Sequence, residues 1–99
     1  MRWNVIIITH THGKIRITGH AGYAPSGQDI VCAAVSALTE TFLASIEDLT
    51  KDELKCEISA GNAVIQYGNL SDVGQTLLDS FFVGLNMIAD NYPAYVQID

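Results

Sequence analysis

A chain of 99 residues that is 48% apolar and 16% charged reads as one folded domain, residues 1–99, and excludes a disordered segment. Its net charge is −6, and its five basic residues, Arg2, Lys14, Arg16, Lys51 and Lys55, are scattered, which excludes a cationic track for direct nucleic-acid binding and suits a basic partner. Two cysteines are too few for a disulfide scaffold, no signal peptide or membrane span stands out among the apolar runs, and a reducing cytoplasm is the expected compartment.

In chain order, "WNVIIIT" is rich in β-branched residues and predicts a strand from about Trp3 to Thr9. "KIRIT" alternates, with Ile15 and Ile17 on one face, and "HTHGK" between the two supplies Gly13 as the turn residue of a hairpin. The loop "AGYAPSGQ" is broken by Gly22, Pro25 and Gly27. "DIVCAAVSALTETFLASIEDL" has helical period: Val31, Val35, Leu38 and Phe42 share a face flanked by Ala34 and Ser45. Asp29 falls in or just before its first turn, where a carboxylate complements the helix dipole.

"LKCEIS" and "AVIQYG" predict a second hairpin turning at Gly61-Asn62, with Leu54, Cys56 and Ile58 alternating inward. "SDVGQTLLDSFFVGLNMIADNY" predicts a second helix with Ser71 as N-cap, an apolar stripe of Val73, Leu77, Phe81, Leu85 and Ile88, and Pro93 as the stop. "AYVQI" makes a last strand. The order ββαββαβ predicts an α+β fold, a mainly antiparallel sheet packed with two helices.

The residues with chemistry concentrate in "GHAGYAPSGQDIVCAAVS". Cys32 lies about one turn into the first helix, where unpartnered amides and the dipole lower a thiol pKa. His20 ends a strand, and the loop between them is long enough to fold imidazole back to sulfur. That pair is the minimal equipment for nucleophilic acyl transfer. On the helical wheel Cys32 sits at the border of the apolar stripe, one turn from Asp29 and Ser36. Free cysteine is also among the most buried residue types, so a reactive thiol and a core filler both fit.

Cys56 alternates with Leu54 and Ile58 and reads as core. His10 and His12 read as exposed turn residues, since two histidines without a third ligand do not make a metal site. No cofactor is expected. Glu47, Asp48, Asp52 and Glu53 read as a solvated acidic turn. Of Phe81-Phe82, one ring is expected in the core and the other at a contact such as a dimer interface.

The ordered run from Gly19 to Ser36 resembles the signature of the ribosomal-processing cysteine protease family, Prp: G-H-A, a short glycine-containing loop, then D-[IL]-V-C-A-x-x-S/T. Gly19, His20, Ala21, Gly27, Asp29, Ile30, Val31, Cys32, Ala33 and Ser36 match it. The resemblance implies a cysteine endopeptidase with Cys32 as nucleophile and His20 as base, and supporting positions at Asp29 and Ser36. It implies a flexible substrate loop through Gly22, Tyr23, Pro25 and Gly27, which Pro25 would stiffen. Asp29 either orients His20 or caps the helix. The implied substrate is a large-subunit bacterial ribosomal protein whose N-terminal extension is cut after a Phe-Phe segment, and the implied assembly is a homodimer. A non-catalytic, dimeric ribosome-assembly module that binds the same segment is the alternative. A redox-sensing thiol is a third option, for which Cys56 is a poor resolving partner.

Overall fold

The structure, a computed structural model, describes residues 5–25 and 28–99. Its elements follow the expected order: β1 (Ile6–Thr11), β2 (Lys14–Thr18), α1 (Ile30–Leu49), β3 (Leu54–Ser59), β4 (Asn62–Tyr67), α2 (Asp72–Asn91) and β5 (Val96–Ile98). The predicted start of the first strand at Trp3 lies outside the described residues. The five strands form one mixed sheet in the order β3-β4-β2-β1-β5. Among the described residues only the β1–β5 pair is parallel.

Alternation along the strands sends one set of side chains toward the helices. Ile6, Ile8, Ile15, Ile17, Ile65 and Val96 from the sheet meet Val31, Val35, Phe42 and Ile46 of α1 and Leu78, Phe81 and Leu85 of α2 in one core. Each such burial stabilises by about 1.5–3 kcal/mol. Phe42 and Phe81 stack at 4.8 Å, nearly parallel, and join the two helices. Gly84 brings them close: a Cβ there would stand 2.8 Å from Leu38 Cδ1.

α1 is 20 residues long and, although polar residues interrupt its apolar runs, is apolar enough by length and composition to cross a membrane. Here Val31, Val35, Phe42 and Ile46 turn its apolar stripe onto the core.

Four local expectations are corrected. The second hairpin turns at Ala60-Gly61, and Asn62 already pairs with Ser59. The stripe of α2 runs through Gly74, Leu78, Phe81 and Leu85, while Val73 is exposed. Cys56 is exposed as well: it faces the helix side opposite Ile65, but β3 is the sheet edge and the helices leave it uncovered. His10 is half-buried, stacked on Phe82 at 4.7 Å with Nε2 2.6 Å from the Tyr67 hydroxyl. Phe82 is half-buried under this contact, and His12 lies in the turn at φ 47.

Candidate active site

The pairing of β2 with β4 brings the two halves of the chain together at one end of the sheet. Thr18 pairs with Asn62, and the next backbone amide, that of Gly19, donates to Gly61 O at 2.9 Å. His20 leaves the sheet at this junction and is exposed, while Ala21 is fully buried beside α1. The Ala21 amide donates to Cys32 Sγ at 3.3 Å. This contact holds the two ends of the His–Cys loop together.

Asp29 is the N-cap of α1. Its Oδ1 accepts from the amides of Val31 (3.0 Å) and Cys32 (2.9 Å), and its Oδ2 accepts from the Tyr23 amide (3.0 Å). Of the two roles open to it, the carboxylate takes that of the cap, and it clamps the loop as well. Burial raises the Asp29 pKa, but the amides of Cys32, Tyr23 and Val31 and the Cys32 side chain outweigh it, so the net shift is downward.

The same arrangement reverses the expectation for the thiol. Burial pushes Cys32 above its ordinary value, and the charge of Asp29 and its hydrogen bond to the side chain push the same way; the Ala21 and Gly22 amides pull down without offsetting them. The helix-start amides that would stabilise a thiolate are already taken by Asp29. Its negative charge then stands next to the sulfur.

Cys32, half-buried, lies where two clefts meet. The first, of about 180 Å³, runs between α1 and the second hairpin: Cys32, Val35 and Thr39 form one wall, Ile58, Gly61 and Ala63 the other. The second, of about 460 Å³, runs under the loop past Gly22, Ala24, Asp29 and Ala33. His20, Cys32 and Ser36 line both. No hydrogen bond joins His20 to Cys32 among the described residues. Ser36 is exposed one turn beyond the thiol.

The remaining loop positions are held differently. Tyr23 packs edge-on against Tyr92 (5.6 Å) and Tyr95 (5.2 Å) at the end of α2. Pro25 O accepts from the Gln28 amide at 2.9 Å. Gly27 lies outside the described residues. The wall supplied by Ile58, Gly61 and Ala63 is not legible in the sequence, because nothing local in a turn glycine reports that it faces a histidine forty-one residues earlier in the chain.

A family model described as "Cysteine protease Prp" matches residues 4–97. The ribosomal processing cysteine protease Prp of Mycoplasma pneumoniae is 32% identical over 103 residues, spanning 96% of this chain and 94% of that protein. Among solved structures, an essential ribosomal processing protease Prp from S. aureus, bound to a covalently linked product peptide, superposes with a TM-score of 0.87 at 24% identity, covering 96% of each chain. SMU.848 from Streptococcus mutans superposes with a TM-score of 0.78 at 28% identity, covering 96% of this chain and 92% of that one.

Proposed function

The chain belongs to the cysteine protease Prp family, and from that membership we propose that it is an endopeptidase in which Cys32 is the nucleophile and His20 the base. The observation that carries this reading is the position of thiol and imidazole at the meeting point of two clefts. An endopeptidase must bind chain on both sides of the bond it cuts, and a junction of two clefts at the thiol offers room for both.

In the proposed reaction His20 takes the Cys32 proton and the thiolate adds to the scissile carbonyl. The first-turn amides of Val31 and Cys32 are held by Asp29, so the backbone donors at hand for the developing oxyanion are the Ala21 and Gly22 amides beside the sulfur. The imidazolium then protonates the leaving amine, the C–N bond breaks, and water hydrolyses the thioester to regenerate the thiol. Asp29 holds the loop and the helix start; Ser36 lies on the path of the substrate.

The substrate in this reading is the N-terminal extension of a large-subunit ribosomal protein, cut after a Phe-Phe segment in the cytoplasm by a homodimer. The names of the Mycoplasma pneumoniae and S. aureus proteins support the ribosomal part, and the apolar walls of the first cleft suit aromatic side chains. A synthetic peptide with the Phe-Phe site is expected to be cut by the wild-type protein, and Cys32→Ala and His20→Ala each to lower the rate at least about a thousandfold. Full activity in both variants would remove the dyad. Light scattering checks the dimer.

A second reading, a module that binds the segment without cutting it, draws on two observations: the raised thiol pKa and the missing His20–Cys32 hydrogen bond. Wild-type protein that binds the peptide and leaves it intact would establish it.

A further inference from the structure

The histidine and the cysteine are twelve residues apart in the chain, yet the contact that limits where the imidazole can sit comes from the other half of the molecule. Gly61 is the second residue of the β3–β4 turn and has φ +70. A Cβ on it would stand 2.7 Å from His20 Nε2 and 3.3 Å from both Cδ2 and Cε1. The Nε2 edge of the ring therefore rests where a side chain at position 61 would be. The seat is fastened to the histidine's own strand, since Gly61 O accepts from the Gly19 amide at 2.9 Å and Asn62 pairs with Thr18. Gly61, His20 and Cys32 also line the same cleft.

We propose that Gly61 is a positioning residue for the reaction: the missing side chain at the β3–β4 turn is the seat of the His20 imidazole. The inference rests on the His20–Cys32 reading given above. The backbone on both sides of the contact is tied by sheet and turn hydrogen bonds, whereas His20 is exposed. A side chain at position 61 therefore displaces the ring and leaves the turn in place. Displacing a catalytic group by about an ångström lowers a rate by up to about a hundredfold, and it does so in the chemical step with little change in binding.

The test uses Gly61→Asn and Gly61→Ala. Asparagine tolerates the left-handed backbone better than alanine, so it separates ring displacement from turn strain. Gly13→Asn is the control: Gly13 is the corresponding turn residue of the first hairpin, with φ +76, at the opposite end of the sheet. With the Phe-Phe peptide, Gly61→Asn is expected to lower kcat by about ten- to a hundredfold with KM within about twofold, and to move the His20 ring resonances in a proton–nitrogen NMR spectrum. Gly13→Asn is expected to lower the melting temperature while keeping kcat and those resonances. A Gly61→Asn protein with wild-type kcat and an unmoved ring overturns the proposal. So does an equal loss in the Gly13 control, which would make the effect one of stability. If the wild-type protein does not cut the peptide, the protease reading fails while the ring resonances still decide whether position 61 seats the imidazole.

Discussion

At the residue scale, Cys32 shows how far a local argument carries. The ordered run from Gly19 to Ser36 located the candidate site, and the structure brings His20, Cys32 and Ser36 to one place. The direction of the thiol pKa was not legible, because it depends on which acceptor occupies the first-turn amides, and Asp29 had two possible partners. With the carboxylate on the Val31 and Cys32 amides, removing its charge is expected to make the thiol more acidic. Asp29→Asn, which retains an acceptor for the cap, should speed iodoacetamide alkylation of Cys32 at pH 8, with the midpoint of the pH–rate curve moved down; an unchanged or higher midpoint contradicts this. Asp29→Ala removes the cap and should cost about 1 kcal/mol in denaturant titrations. The sign with pH follows from the lowered Asp29 pKa: its contribution is fully present above the ordinary value of 3.8 and is lost as pH falls through the lower folded value. The Asn and wild-type proteins should therefore converge in stability only in acid.

At the scale of elements, all seven were legible from period and punctuation, and the departures have physical causes. The apolar positions of α2 admit a stripe through Val73 and Leu77 or one through Gly74 and Leu78. Tertiary contacts select the second: Asp52 accepts from the Ser71 amide and hydroxyl and sits against Gly74, which turns Val73 outward. Alternation in β3 puts Cys56 on the helix side, across from Ile65, but alternation says which face a residue is on and nothing of whether a helix covers it. Cys56 is exposed for that reason. Phe81 is the residue on which the helix pair depends, since it stacks on Phe42, meets Phe82 edge-on at 5.6 Å and is 4% exposed. Phe81→Ala is expected to cost about 3–5 kcal/mol, a large part of the 5–15 kcal/mol typical of a domain. Val83→Ala, at an exposed position on the same helix, should stay within about 0.5 kcal/mol. Urea melts that showed equal losses for the two would contradict this account of the core.

At the scale of the whole molecule, the chain is two hairpin–helix halves, and the β2–β4 pairing that fuses them builds the site by setting the tip of one hairpin against the histidine of the other. No local pattern announces that pairing, so the sequence located one wall of the cleft and left the other unseen. Charge acts at this scale too. With a net charge of −6, and with Glu40 in the first cleft and Asp29 in the second, the surface around the thiol is expected to favour a basic segment over a distance that salt shortens. The screening length is about 10 Å at 0.1 M ionic strength and about 3 Å at 1 M. For a Phe-Phe peptide flanked by lysines, kcat/KM is expected to fall several-fold between 0.05 and 0.5 M sodium chloride. The loss should lie in KM, because screening weakens encounter and binding without touching the chemical step. The same peptide with its lysines replaced by glutamine should lose little across that range and start from a higher KM. If both peptides respond alike, or if the basic one improves with salt, then the acidic surface has no part in selecting the substrate, and selection falls to the apolar walls of the cleft alone.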